Sequence, residues 1–444
     1  MKIEGLLFEA LPYSANAMDI FSNLRNSEAG AFLLQSGQGS RDHTDVISVN
    51  PVKLETLGKD TGLESLASFI DTINVEIERH ASNTSAPHPL PGWFGVLNYQ
   101  LGSVTEKVPL KSNARSQRLP LAWVGFFPTI VVIDHHKKTS GVFGIKHYRN
   151  HFEDILSKLA NKRPVQVDEF HLTTPFSSNV SQKQYGALFE RIKGYIESGD
   201  CYQVNLAHRF SATYKGSPWS AYQTLRDNTN APMTSFFETP QWSLLSMSPE
   251  RFISCRKGKL VTNPIKGTRP RLENTAMDEL QKQELKQSTK DRAENLMIVD
   301  LLRNDLGRSC QPGSIKVPSL FSVETFTYVH HLVSTIEGQL RDEVSPLQAL
   351  LWAFPGGSIT GAPKHRAMEI IDELEQECRG FYCGSAFYYD VAKNLDSSIL
   401  IRSLVAVAGE VECWAGGGIV ADSVMEQEYQ ETFHKVQGLL KALS

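Results

Sequence analysis

The apolar runs Trp123–Asp134 and Gly141–Ile145 follow one another with only a polar turn between them. A strand that returns at once pairs antiparallel, because a parallel partner needs a crossover of a dozen or more residues. The habit recurs along the chain. Strand signals stand at Ala31–Gln35, Trp93–Tyr99, Tyr202–Thr213, Phe236–Phe237, Leu244–Met247 and Arg251–Ser254, and again at Cys383–Tyr389, Ser397–Val407 and Val411–Trp414. Helical patterns are expected at Gln182–Glu197, as one long element over Thr275–Asp305 stopped by Gly307, from about Pro346 onward, and at Val424–Leu440. Strands that follow strands argue for an α+β fold built on large antiparallel sheets, not a doubly wound one.

With 444 residues, 41% of them hydrophobic, the chain can bury a large core in one or two intertwined domains. Two polar stretches interrupt it, Ala81–Pro91 and Lys162–Val180. The second is the better boundary, dividing an N-terminal α+β region over 1–165 from a larger one over 181–444. A net charge of -4 without a basic segment excludes nucleic acid as a partner. The apolar runs are too short for a bilayer, and the opening MKIEGLLFEALPY carries Glu4 and Glu9 and has no signal-peptide pattern. A cytoplasmic protein with no membrane contact is expected. Six scattered cysteines form no CxxC pair, so reduced thiols are expected, with neither zinc nor disulfide.

Three constellations could carry chemistry. In KDRAENLMIVDLLRND, Asp291 and Glu294 share one helix face, and in EYQETFHK so do Glu428 and Glu431, with Lys435 one turn on. Such faces are commonly just solvated. If the two meet across a cleft, their carboxylates suit a hard cation such as Mg²⁺. FPGGSITGAPK (Phe354–Lys364) and AGGGIVADS (Ala415–Ser423) are glycine-rich but are neither Walker loops nor dinucleotide fingerprints. They serve either as tight turns or as backbone nests for a carboxylate ligand. In NPIKGTRPR, Lys266 follows an apolar residue at a strand end. It is either a surface charge or, desolvated, an amine nucleophile.

Together with CYQVNLAHRF, SPERFI, VHHLVSTI and SSILIRS, these motifs resemble the chorismate-utilising enzymes from about Ser181 to the C-terminus. That family includes anthranilate synthase component I, aminodeoxychorismate synthase component I, and the isochorismate and salicylate synthases. The resemblance makes 1–165 an anthranilate synthase component I-like N-terminal region and 181–444 the chorismate-binding catalytic domain. It implies that Glu294 and Glu428 contact Mg²⁺ directly while Asp291 and Glu431 hold its waters. It implies that Gly267, Thr268, His331, Thr360, Tyr388, Arg402, Gly416, Gly417, Gly418 and Lys435 line the substrate, and that Glu250 is the general acid. Phe387 departs from the glycine that related sequences have before the site tyrosine.

Within the family, Lys266 stands where anthranilate synthases have alanine. This points to the branch that aminates chorismate at ring carbon 4, towards 4-aminobenzoate and folate, with Lys266 as nucleophile. No Cys–His glutaminase signature appears, so ammonia is expected from a glutamine amidotransferase partner or from solution. The alternatives are anthranilate synthase chemistry, or a non-catalytic chorismate- or tryptophan-binding subunit, which the intact set of acids disfavours. Isochorismate and salicylate synthases place a lysine base at the position of Gln203, and an amide cannot deprotonate water. Leu34 and Ser36 of LLQSG, with Pro232, Met233 and Ser235, resemble the family's tryptophan pocket. The Arg-Tyr or Arg-Phe pattern expected a few residues after LLQSG is missing, where QGSRDHTDVIS stands instead, so weak or no tryptophan binding is expected.

Overall fold

The computed structural model describes residues 5–25, 30–37, 43–82, 89–111, 118–161, 168–326 and 329–444. Parts of both expected linkers, residues 83–88 and 162–167, lie outside these, as do residues 38–42 after LLQSG. Every strand pairing is antiparallel, and the described strands form one sheet of 13 and one of 10. Stacked rings join the two: Phe32 of the first sheet lies 4.1 Å from Phe94 of the second. The largest apolar cluster takes residues from both. The α+β expectation holds.

The N-terminal region does not stand apart. Ala31–Gln35 pairs with Met233–Glu238 in the first sheet, and Gly92–Leu97 pairs with Ser385–Asp390 in the second. Each sheet therefore needs both halves of the sequence to bury its faces.

Three expected elements are divided. The run Trp123–Asp134 is two strands, Ala122–Phe127 in the second sheet and Thr129–Asp134 in the first. Pro128 falls between them and has no N–H for either ladder. The run Ser397–Val407 is likewise Leu395–Ile399 in the second sheet and Ser403–Val407 in the first. Arg402, at φ 51, turns the chain between them. The long helix over Thr275–Asp305 is two, Thr275–Gln287 and Thr289–Gly307. Ser288 leaves helical geometry at ψ 110, and its side chain caps the second helix by accepting from Asp291 N. Elsewhere the local signals hold. Ser181 and Gln184 form a capping box on Gln182–Glu197, and Ser345 and Gln348 form another on Pro346–Ala353. All six cysteines are buried, and no described helix is long and apolar enough to cross a membrane.

Candidate active site

The chain crosses from one sheet to the other at Glu250, between Trp242–Ser248 and Arg251–Arg256, and again at Arg402. The two crossings are bonded together: Ile399 N donates to Glu250 O at 3.0 Å and Met247 N to Arg402 O at 3.0 Å. Ser248 Oγ adds a bond to Ile399 O at 2.6 Å. A non-glycine residue at positive φ costs about 1 kcal/mol or more, and Arg402 is held there by this double seam. Arg402 is solvent-exposed, yet burial within surrounding protein lowers its pKa. A charge both exposed and so enclosed lies in a cleft.

Glu250 is 8% exposed, and burial pushes its carboxyl up to about 7, against the pull of Lys266, a bond from Ser358 and more distant Lys435. Lys266 comes from the edge strand Ile265–Pro270. Burial lowers its pKa, opposed by Glu294 and Glu250. The pair is therefore shifted toward its neutral forms, amine and carboxylic acid. Next to Lys266, Gly267 has φ +65, and a Cβ there would lie 2.7 Å from Leu285 Cδ1 and 2.9 Å from Asp291 Cγ. The residue resembling a substrate contact is thus also the one that lets the strand close on both helices. Thr268 Oγ1 and His331 Nδ1 are 3.0 Å apart. Burial drives His331 down to about 4, with a smaller push from Arg402, so its ring is neutral near pH 7.

The acids stand on the two expected helices. Burial raises Glu294, and Asp291 and Glu431 add to the rise, so the two helix faces sense one another. Burial also raises Glu428, with Glu431 contributing. Glu431 moves the other way: its burial is outweighed by Lys435, 2.7 Å away, and by Lys266. A Cβ on Gly417 would meet Glu428 Oε2 at 3.1 Å and Lys435 Nζ at 3.8 Å, and Lys435 donates to Gly416 O at 2.9 Å. The AGGG strand is therefore bare where the second helix delivers its charges. Asp291 also pairs with Arg269 at 3.3 Å, Glu428 accepts from Ser423 at 2.7 Å, and Lys290 stands 4.0 Å from Glu294. Among the described residues no group of three His, Cys, Asp or Glu converges tightly enough to form a cation cage as it stands.

Two expected positions differ. Thr360 is fully buried, and its hydroxyl donates to Gly356 O at 3.0 Å, which shapes the loop from within. Tyr388 does not join the cleft. It lines a separate cavity of about 200 Å³ together with Leu34, Ser36, Pro232, Met233 and Ser235, the five residues matched to a tryptophan pocket. Its ring packs 5.8 Å from Phe94. On a strand buried on both faces, alternation does not reveal which face meets ligand. The tyrosine beside the glycine strand is Tyr382, stacked on Trp414 at 5.9 Å and 12°. Sequence reasoning also passed over Ser358 and Ser423, although both sit inside the glycine-rich motifs it singled out.

A two-sheet fold with a seam of acids, a lysine and bare glycine strands is that of a chorismate-handling enzyme. The chorismate binding enzyme family matches residues 12–441, and the chain belongs to it. Its relatives include aminodeoxychorismate synthase component 1 of Klebsiella aerogenes, 43% identical with 98% of each chain covered. The protein of the same description from Escherichia coli (strain K12) is also 43% identical, with 93% of each chain covered. Among solved structures, anthranilate synthase component I from Streptococcus pneumoniae TIGR4 superposes with a TM-score of 0.78 at 27% identity, covering 91% of this chain and 93% of that one.

Proposed function

We propose that this chain aminates chorismate at ring carbon 4, giving 4-amino-4-deoxychorismate on the way to 4-aminobenzoate and folate. The observation that carries the reading is Lys266 beside Glu250, an amine and a carboxyl each moved toward its uncharged form in one cleft. That is the protonation a nucleophile and a general acid need. The names of the relatives at 43% identity support it.

Arg402 is suited to the enolpyruvyl carboxylate, with Gly416–Gly418, Lys435, Thr268 and neutral His331 around the ring. The four carboxylates fit Mg²⁺ in donor chemistry. Such an ion keeps several waters and needs only one or two direct carboxylates, so no protein cage is required. Glu294 and Glu428 would hold it directly, with Asp291 and Glu431 on its waters; bound there, it would neutralise and orient the ring carboxylate.

Lys266 Nζ forms a bond to ring carbon 2, both ring double bonds shift by one position towards carbon 4, and the 4-hydroxyl leaves as water with the proton of Glu250. Ammonia then bonds to carbon 4, both double bonds shift back, and the bond from carbon 2 to the lysine breaks. The surplus proton of the new ammonium returns to Glu250 and that of the alkylated lysine leaves with the freed amine. The enolpyruvyl group stays on. Two displacements give net retention.

Ammonia is proposed to come from a separate glutamine amidotransferase subunit. The relatives are named as component 1, and burial raises the thiols of Cys201, Cys255, Cys310, Cys383 and Cys413 away from the reactive thiolate. The test is to incubate the purified chain with chorismate, Mg²⁺ and an ammonium salt, and to identify the product by mass. Release of pyruvate with anthranilate would refute carbon-4 chemistry, and turnover of glutamine by the chain alone would refute the need for a partner.

A further inference from the structure

The glycine-rich loop 354–363 leaves the helix Pro346–Ala353 and enters the helix Lys364–Leu374. One side chain closes its neck: Lys364 Nζ donates to Ala353 O at 2.8 Å. The same ammonium donates at 2.7 Å to Asp305 Oδ1, in the last turn of Thr289–Gly307. That helix meets the loop a second time, where a Cβ on Gly357 would collide with the Leu301 side chain. Its first half carries Asp291 and Glu294. The middle of the loop presents Ser358, whose hydroxyl donates to Glu250. The helix of the acids and the bond on Glu250 are thus joined through Lys364 and Asp305. Around the pair, Glu106 lies 3.7 Å from Lys364 and accepts from Arg308 at 2.7 Å, and Thr105 donates to Phe354 O at 2.7 Å.

Stability does not explain the pair. Lys364 is 7% exposed and Asp305 3%, so both charges are stripped of water. Asp305 Oδ2 has no hydrogen-bond partner. Lys364, at the first position of its helix, faces the positive end of the dipole, and Asp305, in a last turn, faces the negative end. Each charge therefore stands at the unfavourable end of its own helix. A buried ion pair is commonly no more stabilising than apolar side chains of the same volume. What it supplies is direction: an ammonium with two fixed acceptors holds the loop neck in one place.

We infer that Lys364 and Asp305 are positioning residues for the general acid: they fix the loop 354–363 on the helix that carries Glu294, so that Ser358 meets Glu250. This rests on the reading of Glu250 as the acid. Both act through Ser358, from a position closed to solvent.

Steady-state kinetics of the full chain with chorismate, Mg²⁺ and ammonium salts test it on the double variant Lys364→Met with Asp305→Leu. Apolar groups of similar size replace the pair, so the midpoint of denaturant unfolding is expected at or above that of wild type. kcat is expected to fall about tenfold while KM for chorismate moves less than about threefold. With free ammonia held constant, the fall of kcat/KM near pH 7, where Glu250 loses its proton, is expected to move upward as the bond from Ser358 is lost. Adding Ser358→Ala is then expected to move that limb no further, because one bond cannot be lost twice. A folded double variant with wild-type kcat and the limb in place overturns the assignment, as does a full further shift on adding Ser358→Ala. If the double variant does not fold, Asp305→Asn, which keeps an acceptor for Lys364, takes its place, and an unchanged kcat and limb there overturn the inference instead. A wild-type limb indifferent to Glu250→Gln removes Glu250 as the acid and this inference with it. A limb that Glu250→Gln abolishes and the variants of the pair leave in place removes this inference alone.

Discussion

The Ser358 hydroxyl donates to Glu250 Oε1 at 3.1 Å, inside a site where burial holds that carboxyl protonated up to about 7. The bond stabilises the charged form, so it works against the burial. With free ammonia held constant, kcat/KM is expected to fall as pH rises through about 7 and Glu250 loses its proton. Ser358→Ala is expected to move that limb upward. A limb that stays in place when Glu250 is replaced by Gln would remove Glu250 as the acid.

The same shift has a sign in stability. The pKa of Glu250 rises from 4.5 to about 7 on folding, so its contribution is fully present below 4.5 and is lost as pH rises through about 7. Glu250→Gln is then expected to be more stable than wild type at pH 8, by up to about 3 kcal/mol, with the gap closing toward pH 5. Denaturant unfolding at the two pH values reads this directly.

Glu294→Gln and Glu428→Gln each remove one anionic oxygen donor from the acidic faces. Both variants are expected to need much more Mg²⁺ for half-maximal activity, and chelation to abolish wild-type turnover until Mg²⁺ is restored. Titration calorimetry with Mg²⁺ alone gives the same comparison without turnover. Wild-type affinity in both variants would take these residues out of the site.

Gly267→Ala places a methyl 2.7 Å from Leu285 and 2.9 Å from Asp291, on a backbone at φ +65. A loss of roughly 1–3 kcal/mol is expected, because an L side chain is strained at this φ and the Leu285 and Asp291 side chains must also give way. Thermal unfolding measures the first effect, and a fall in kcat the second. An alanine variant with unchanged stability would contradict the packing described.

For tryptophan, the missing Arg-Tyr or Arg-Phe pattern after LLQSG leads to an expectation of no micromolar binding, although the cavity of about 200 Å³ is present. Calorimetry with the free amino acid checks this, and tryptophan carried through purification would contradict it.

The acidic faces were legible because i,i+3 spacing on a helix fixes which residues share a side. The glycine-rich motifs were legible because few other roles demand three consecutive glycines. The sheet crossings were not. Trp123–Asp134 reads as one apolar run, and only Pro128 marks where it changes sheets. Arg402 reads as a charge within a strand, whereas it is the strained residue that carries the chain across the seam. Tyr388 was misplaced because both faces of its strand are buried, so polarity gives no direction.

Lys266 carries the assignment to carbon 4. Burial lowers its pKa from 10.5, and Glu294 and Glu250 limit the fall. Lys266→Ala is expected to lose roughly a hundredfold or more in turnover, about 2.7 kcal/mol in barrier, while still binding chorismate. The most direct measurement is mass spectrometry of wild-type chain quenched with chorismate and Mg²⁺ in the absence of ammonia. A covalent adduct on the peptide containing Lys266 is the expected result. No trapped adduct, together with near-normal formation of 4-amino-4-deoxychorismate by Lys266→Ala, would contradict the nucleophile and leave the lysine as a positioning charge.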